Sequence, residues 1–199
     1  MTGPTRLRAA AAGTIIAILA LLVLAADQFA KHLAIQNLPY QEAVHVIGDF
    51  LIFYLTRNPG AAFSLGTGVT WIFTIILAAV AIFIIYLGFT RVRSRRWAVV
   101  LGLLLGGVLG NLTDRLVRAP GFGSGHVVDF INTPWMMPAI YNVADMFIVT
   151  MMILVAVLIV AGVRLDGTRE RRANASDDDA TTDTASNAPS DAAPGDAKA

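Results

Sequence analysis

Four long apolar segments constrain the fold of this chain more than any other feature. They cover roughly residues 9–31, 71–89, 97–115 and 141–163, close to the ~20 residues that a helix needs to cross a bilayer. Overall, 56% of the 199 residues are hydrophobic and 15% are charged, and the mean hydropathy is +0.64. A soluble domain of this size carries more charge. The sequence therefore predicts an all-α membrane protein, a four-transmembrane-helix bundle.

Arginines mark one end of these segments. A short basic stretch, residues 1–8, precedes the first segment. The arginines between the second and third segments and after the fourth are Arg91, Arg93, Arg95, Arg96, Arg164, Arg169, Arg171 and Arg172. Basic residues concentrate in the cytoplasmic loops of membrane proteins, so we expect both termini and the middle turn in the cytoplasm. The formal net charge of only +1 argues against a nucleic-acid partner.

The expected membrane domain covers residues 9–165, between a cytoplasmic N-terminus and a tail. The run at residues 9–26 also fits the core of a secretory signal peptide, but it is long and continues into Asp27 without a clear small-x-small cleavage site. A retained first helix is the favoured interpretation. Residues 166–199 are predicted to be a disordered cytoplasmic tail, because residues 173–199 lack large apolar side chains that could form a core.

Polar residues within the apolar segments converge on one layer. Counted at about 1.5 Å of rise per residue from the nearest arginine cluster, Asp27 lies roughly 28 Å away, Asn111 roughly 22 Å and Asp145 roughly 28 Å. The hydrocarbon core of a bilayer is about 30 Å thick, so all three fall near its outer boundary. The two long loops that carry Asn58 and Asp129 belong to the same side.

Some of these residues also have a purely structural interpretation. Asp27 and Lys31 stand four residues apart with the acid first, which is the spacing of an ion pair on a helix. Asn111, Asp114 and Arg115 share one helix face and could simply cap the helix and hold a loop. The three histidines have no metal-ligand spacing, so no metal site is predicted.

Asp129 and Asp145 carry the functional hypothesis. Asp129 ends a β-branched run in a loop, and Asp145 opens the fourth apolar segment, where an ionisable group is costly to bury and by default marks a functional site. If the two carboxyls meet, they cannot both ionise comfortably and they share one proton. The ionised carboxyl can then take a proton from an attacking water while the protonated one hydrogen-bonds the amide carbonyl. This hydrolysis requires no metal or cofactor.

Two other functions remain open at this point. Ser64 and Lys31 lie on the same predicted side of the membrane, where a desolvated lysine can activate a serine for nucleophilic attack. A proton-coupled transporter could instead use Asp27, Asp114 and Asp145 as relay groups. Such a relay should reach the middle of the bilayer, and that part of the predicted helices is apolar.

Five short motifs give the chain a resemblance to a known family. In chain order they are Asp27-Gln28-x-x-Lys31, Asn58-Pro59-Gly60-Ala61-Ala62-Phe63-Ser64, Gly106-Gly107-x-x-Gly110-Asn111-x-x-Asp114-Arg115, Val127-Val128-Asp129-Phe130 and Asn142-x-Ala144-Asp145. With this order along four predicted spans, the chain resembles the lipoprotein signal peptidases, the bacterial type II signal peptidases. Its departures from their pattern are small, at Ala30, Tyr141 and Met146.

The resemblance implies an aspartic endopeptidase that removes the signal peptide from a diacylglyceryl-modified prolipoprotein, cutting just before the lipidated cysteine. It assigns catalysis to Asp129 and Asp145, with prolipoproteins and membrane lipids as partners and with no cofactor and no obligate protein partner. It implies substrate-binding or supporting roles for Asp27, Lys31, Asn58, Gly60, Asn111, Asp114, Arg115, Asn142 and Ala144.

The resemblance also places the protein in a bacterial cytoplasmic membrane, with the active site near the outer leaflet. It implies a small extracytoplasmic β-sheet that forms a cradle for the substrate, and a loop that covers the site as a lid. The aromatic and β-branched stretch at residues 50–55 fits one strand of such a sheet.

Overall fold

The computed structural model describes residues 7–60 and 69–169. These residues form, in chain order, α1 (Ala9–Asn37), β1 (Ala43–Ile47), β2 (Leu51–Asn58), α2 (Thr70–Thr90), α3 (Arg95–Val117), β3 (Val127–Thr133), β4 (Met137–Tyr141) and α4 (Val143–Val160). The four helices are each long and apolar enough to cross a membrane, with mean hydropathies between 1.5 and 2.8 over their most apolar 18 residues. The predicted four-helix membrane architecture is confirmed.

Helix α3 lies at the centre of the bundle and contacts the other three helices. Within its most apolar 18 residues, 78% are buried, against 28%, 22% and 11% in α1, α2 and α4. Those three helices expose large apolar side chains on their outer faces, such as Ile82 and Phe83 on α2 and Ile153 on α4. A soluble protein rarely exposes apolar surface on this scale, whereas in a bilayer the same surface meets lipid chains.

Glycines let α3 approach its neighbours closely. A Cβ atom at Gly106 would lie 2.5 Å from Cβ of Val23 on α1, and one at Gly107 would lie 2.7 Å from the carbonyl oxygen of Ala144 on α4. Both distances are shorter than real atoms tolerate. Glycine at these two positions therefore sets the distance between α3 and its neighbours, as is common where helices associate in membranes.

The strands form one antiparallel sheet in the order β1-β2-β3-β4. The strand predicted at residues 50–55 is confirmed as part of β2, which continues to Asn58. The second long loop of the sequence contains β3 and β4, which the sequence analysis did not predict. Pro138 lies within β4, and a proline is unfavourable inside a central strand, but β4 is an edge strand, where a missing N–H is tolerated.

The sheet packs against the end of α1 through an apolar cluster. Ala34 of α1 packs with Leu55 of β2 and with Val128 and Phe130 of β3. This contact explains why α1 continues to Asn37, although the predicted span ended near residue 31. Strand β3 also contacts α3, so the sheet is fixed to two helices of the bundle.

The boundaries at the fourth helix differ slightly from those expected. Helix α4 begins at Val143, because Tyr141 belongs to β4 and Asn142 caps the helix. After α4 the chain forms a turn in which the N–H of Arg164 donates to the carbonyl of Thr168 at 2.8 Å.

The described fold therefore extends past residue 166, where the sequence analysis placed the start of the tail. Most of the predicted tail, residues 170–199, lies outside the described residues. The same holds for residues 61–68, which include Ser64.

Candidate active site

The side chain of Asp145 is fixed by the cap of α4. The Asn142 side-chain oxygen accepts a hydrogen bond from the backbone N–H of Asp145 (3.0 Å), and the Asp145 carboxylate accepts one from the backbone N–H of Asn142 (3.1 Å). This reciprocal capping box satisfies N–H groups that the start of a helix leaves unpaired. The other Asp145 oxygen accepts a hydrogen bond from Nδ2 of Asn111 on α3 at 2.7 Å. The carboxyl is thus held in one orientation by two helices.

Asp129 reaches the same region from β3, where it pairs with Thr56 of β2. Its side chain is buried, and its two oxygens accept hydrogen bonds from Nδ2 of Asn142 (2.6 Å) and Nδ2 of Asn58 (3.1 Å). Burial, together with the nearby carboxyl of Asp145, raises the pKa of Asp129 to about 7, against the opposing effect of the two amide donors. At neutral pH both protonation states of Asp129 are therefore populated.

The neutral residue Asn142 connects the two carboxyls, because its backbone N–H donates to Asp145 and its side chain donates to Asp129. Its oxygen caps α4 at the backbone of Asp145, and its nitrogen donates to Asp129 and, at 3.2 Å, to the side-chain oxygen of Asn111. Both carboxyls line one cavity of about 350 Å³. Within residues 7–60 and 69–169, neither carboxyl has a cation in ion-pair contact.

The cavity has a polar wall and an apolar wall. Besides the two carboxyls, the polar wall contains Asn58, Gly60, Asn111 and Arg115. The apolar wall includes Phe73, Ile76 and Leu77 of α2 and Ile148 and Val149 of α4. Helices α2 and α4 both pack on α3, and the cavity lies between them. Such a cavity suits a ligand with a polar chain on one side and hydrocarbon on the other.

Arg115 fixes the polypeptide that follows β2. Its buried guanidinium donates to the carbonyl oxygens of Pro59 (3.2 Å), Gly125 (3.3 Å) and Gly60. The guanidinium carbon also lies 5.6 Å from the centre of the Phe73 ring, within the range of a cation–π contact. The charge is thus accommodated by carbonyl dipoles and an aromatic face, and Gly60 is held at the edge of the cavity.

Behind the cavity lies a second pair of aspartates, Asp27 on α1 and Asp114 on α3. The ammonium of Lys31 lies 2.8 Å from a carboxylate oxygen of each, and all three side chains are fully buried. We call these three residues the supporting cluster. Asp27 also accepts a hydrogen bond from the backbone N–H of Ala144 at 2.9 Å, so the cluster connects α1 and α3 to the first turn of α4.

The supporting cluster sets the orientation of the Asn111 side chain. Lys31 donates to the side-chain oxygen of Asn111 at 3.0 Å, which leaves the nitrogen of that amide to donate to Asp145. The reversed amide would point its NH₂ group at the ammonium, and two donors would then face each other. The lysine therefore acts on Asp145 through Asn111.

Every residue predicted to be catalytic, substrate-binding or supporting in the aspartic mechanism lies in this region. Those on the cavity wall are Asp129, Asp145, Asn58, Gly60, Asn111 and Arg115, and those behind it are Asn142, Ala144, Asp27, Lys31 and Asp114. Two contributing residues were missed. Gln28 and Arg118 both donate to Oδ1 of Asp114, at 3.1 and 2.6 Å. The spacing of four residues from Asp114 to Arg118 was the available signal.

The two rival hypotheses fit this geometry less well. Ser64 lies outside the described residues, and the ammonium of Lys31 is already occupied by two carboxylates and the Asn111 amide. Two of the acids suggested for a proton relay, Asp27 and Asp114, are paired with that same lysine. In the part of the chain that the structure describes, no group of three or more His, Cys, Asp or Glu residues could hold a metal ion.

Comparison with known proteins identifies the family of the chain. The family model Peptidase_A8, described as Signal peptidase (SPase) II, matches residues 19–161. A lipoprotein signal peptidase of Leifsonia xyli subsp. xyli is 48% identical over 150 residues, which are 75% of this chain and 68% of that protein. Another, of Rhodococcus jostii, is 48% identical over 132 residues, which are 66% of this chain and 65% of that protein.

The fold also matches a solved structure. A bacterial membrane enzyme determined by the in meso method at 2.3 Å resolution has a TM-score of 0.66 and 30% sequence identity, with 74% of this chain and 88% of that chain covered. The chain therefore belongs to the signal peptidase II family, aspartic-type membrane peptidases that remove the signal peptide from prolipoproteins.

Proposed function

We propose that Asp129 and Asp145, called the dyad from here on, are the catalytic residues of this peptidase. The observation that carries the proposal is their shared setting on one cavity wall, joined through Asn142 at 2.6 Å to Asp129 and 3.1 Å to Asp145. Neither carboxyl has a cation in ion-pair contact among the described residues. Two carboxyls on one cavity wall then favour a state in which they share one proton. A pair in that state offers one acid and one base.

Asp129 is the acid and Asp145 the base in this mechanism. Burial favours the neutral form of Asp129, whereas Asp145 stands in the first turn of α4, where a helix N-terminus favours negative charge. Asp145 takes a proton from the water whose oxygen bonds to the scissile carbonyl carbon, and Asp129 gives its proton to the carbonyl oxygen. When the C–N bond breaks, the amine receives the proton held by Asp145, and the hydroxyl proton returns to Asp129.

The other site residues position this chemistry. Asn58, Asn111 and Asn142 hold the dyad with neutral donors, which orient the carboxyls without fixing both as anions. Gly60 and Arg115 shape the polar wall, where an extended peptide can approach the backbone closely. The supporting cluster, with the Ala144 N–H, keeps α4 and the Asn111 amide in place.

The substrate in this proposal is a prolipoprotein that carries a diacylglyceryl group, cut just before the modified cysteine. The polar wall receives the peptide backbone, and the apolar wall between α2 and α4 receives lipid hydrocarbon. Acyl chains anchor the precursor in the bilayer, which brings the scissile bond to the depth of the dyad. Anchoring by the lipid thus does part of the positioning.

The proposed location is a bacterial cytoplasmic membrane, with the dyad and the sheet on the extracytoplasmic side and both termini in the cytoplasm. Residues 9–165 would form the membrane domain, followed by a cytoplasmic tail. Arg95 begins α3 and Asn111 lies near its other end, about 24 Å away at 1.5 Å per residue. The arginines at the start of α3 are therefore at the opposite end from the dyad, and clusters of basic residues favour the cytoplasmic side.

Two synthetic precursor peptides test the proposal, one with a diacylglyceryl-modified cysteine and one with an unmodified cysteine. The purified enzyme should cut the first just before the modified cysteine and the second at least about a hundredfold more slowly, because each buried CH₂ contributes about 0.8 kcal/mol of anchoring. Products are identified by mass spectrometry.

Two variants test which residues catalyse the cleavage. Asp145→Asn should be inactive on the lipid-modified peptide, and Ser64→Ala should cut it at close to the wild-type rate. If Ser64→Ala is inactive and Asp145→Asn is active, a serine mechanism replaces the proposed aspartic mechanism.

A further inference from the structure

A basic cavity lies at the end of the bundle remote from the dyad. Its volume is about 890 Å³, and its lining includes four arginines, Arg93, Arg95, Arg96 and Arg169, with one acid, Asp166. Four positive charges and one negative charge leave this lining with a net charge of +3. Nothing in the peptidase mechanism uses these residues, which we call the arginine cavity.

The walls of the arginine cavity are built from three parts of the chain that hydrogen bonds hold together. The backbone N–H groups of Arg93 and Ser94 both donate to the carbonyl of Leu165, at 2.9 and 3.1 Å. The N–H of Leu7 donates to the carbonyl of Arg93 at 2.9 Å. The indole N–H of Trp97 donates to the carbonyl of Val163 at 3.0 Å. The cavity is therefore a preformed feature of the fold, not a gap between loose chain ends.

The charges in the arginine cavity are poorly compensated. Within the described ranges, the exposed side chains of Arg95, Arg96 and Arg169 form no hydrogen bond or ion pair with another residue. The carboxylate of Asp166 accepts hydrogen bonds from the backbone N–H and the hydroxyl of Thr168, at 2.9 and 2.6 Å. A concave site with several unengaged guanidinium groups attracts an anion, and the planar guanidinium donates to phosphate oxygens in pairs.

We propose that the arginine cavity binds the phosphate of an anionic phospholipid headgroup. The cavity lies where α3 begins and α4 has ended, at the end of helices that cross the membrane, so a lipid phosphate reaches it while its acyl chains stay beside the exposed apolar helix faces. Basic pockets between transmembrane helices are suited to anionic headgroups. This inference does not depend on the dyad, and either can fail without the other.

Native mass spectrometry of the full chain in neutral detergent tests the inference. The probes are phosphatidylglycerol and phosphatidylcholine with the same acyl chains. Wild-type protein should retain phosphatidylglycerol at least about tenfold more tightly, since each nearby arginine contributes about 1 kcal/mol toward an anionic lipid. The double variant Arg95→Gln/Arg96→Gln should lose that preference while its rate of peptide cleavage stays at the wild-type value, which also shows that it folds.

The matched control is Arg8→Gln/Arg91→Gln, which removes two charges from the same end of the bundle but outside the cavity. This control should keep the lipid preference. An equal loss in both double variants, or no preference in the wild type, overturns the proposal. Inorganic phosphate serves as the soluble competitor and should leave the lipid bound at an equal concentration. Displacement of the lipid under that condition assigns the cavity to a soluble anion and overturns the lipid assignment.

Discussion

The supporting cluster and the dyad each bring two aspartates to one bridging residue. In the supporting cluster the bridge is a cation, with the Lys31 ammonium 2.8 Å from each carboxylate. In the dyad the bridge is the neutral Asn142, and the carboxyls face a cavity. With Arg118, which lies 2.6 Å from Asp114, the lysine compensates the two negative charges, whereas a neutral bridge favours a shared proton. The charge of the bridge and access to a cavity, rather than burial, are therefore what distinguish the two pairs of aspartates.

Neutralising either member of the dyad should give the largest effect. Asp129→Asn and Asp145→Asn should each lower kcat/KM by at least about a thousandfold, because general acid–base groups contribute roughly 10² to 10⁴ in rate. Stability should change little, since asparagine can keep part of the hydrogen bonding. Cleavage of the lipid-modified peptide and thermal unfolding measure the two quantities. Asp49→Asn, at an exposed acid outside the cavity lining, is the control, and wild-type-like cleavage by either dyad variant would end the assignment.

Removing the cation of the supporting cluster should act mainly on stability. Lys31→Met leaves Asp27 buried without an ion-pair partner and leaves Asp114 with Arg118 alone, which should lower the free energy of unfolding by about 3–5 kcal/mol. The double variant Lys31→Met/Asp27→Asn also removes one negative charge, and it should recover part of the lost free energy of unfolding. Thermal unfolding in detergent measures the effect. A Lys31→Met protein as stable as the wild type would mean that the cluster does not hold the bundle as described.

A substitution at Asn142 can remove its hydrogen bond to Asp129 and still leave an oxygen that caps α4. Asn142→Ser keeps a good N-cap oxygen but loses the N–H donor to Asp129. Since a buried acceptor that loses its donor costs about 1–3 kcal/mol, kcat/KM should fall about ten- to a hundredfold. Asn142→Ala should show the same kinetic loss with about 1 kcal/mol of additional destabilisation. If Asn142→Ser cleaves like the wild type, the amide is only a helix cap.

Adding a methyl group next to the supporting cluster should lower stability by less than the loss of Lys31. In Gly110→Ala the new Cβ would lie 2.6 Å from a carboxylate oxygen of Asp27, so the helices must move apart, at a cost of about 1–3 kcal/mol. Gly121→Ala is the matched control, because no atom lies within 4 Å of its Cβ position. Thermal unfolding of the two variants provides the comparison. Equal stability of both would show that the contact between α1 and α3 is looser than the structure indicates.

The features that could be predicted from the sequence are those that depend on patterns of neighbouring residues. Apolar runs marked the four helices, and the spacing of Asp27 and Lys31 indicated an ion pair. The third member of that cluster, Asp114, follows Lys31 by 83 positions, and no spacing rule connects residues so far apart. The capping role of Asn142 was readable in principle, since an asparagine directly before an apolar helical run is a common N-cap.

The sequence provides less information about the sheet and about the common cavity that Asp129 and Asp145 line. Strands β1 and β4 are five residues long and give almost no alternating pattern. The position of Asp129 depends on its pairing with Thr56, which belongs to a distant strand. The sequence therefore indicated that two acids lie on the same side of the membrane, whereas the distances that join them to Asn142 required the folded structure.

The pH dependence of kcat/KM for the lipid-modified peptide tests the shared proton most directly. Because burial and the nearby Asp145 raise the pKa of Asp129 to about 7, this carboxyl keeps its proton below that pH and loses it above. Once the proton is lost, the dyad has two bases and no acid, so the rate should fall about tenfold per pH unit above about pH 7. A rate that rises from about pH 7 to about pH 9, as expected for a nucleophile or base that must lose a proton, would contradict the account.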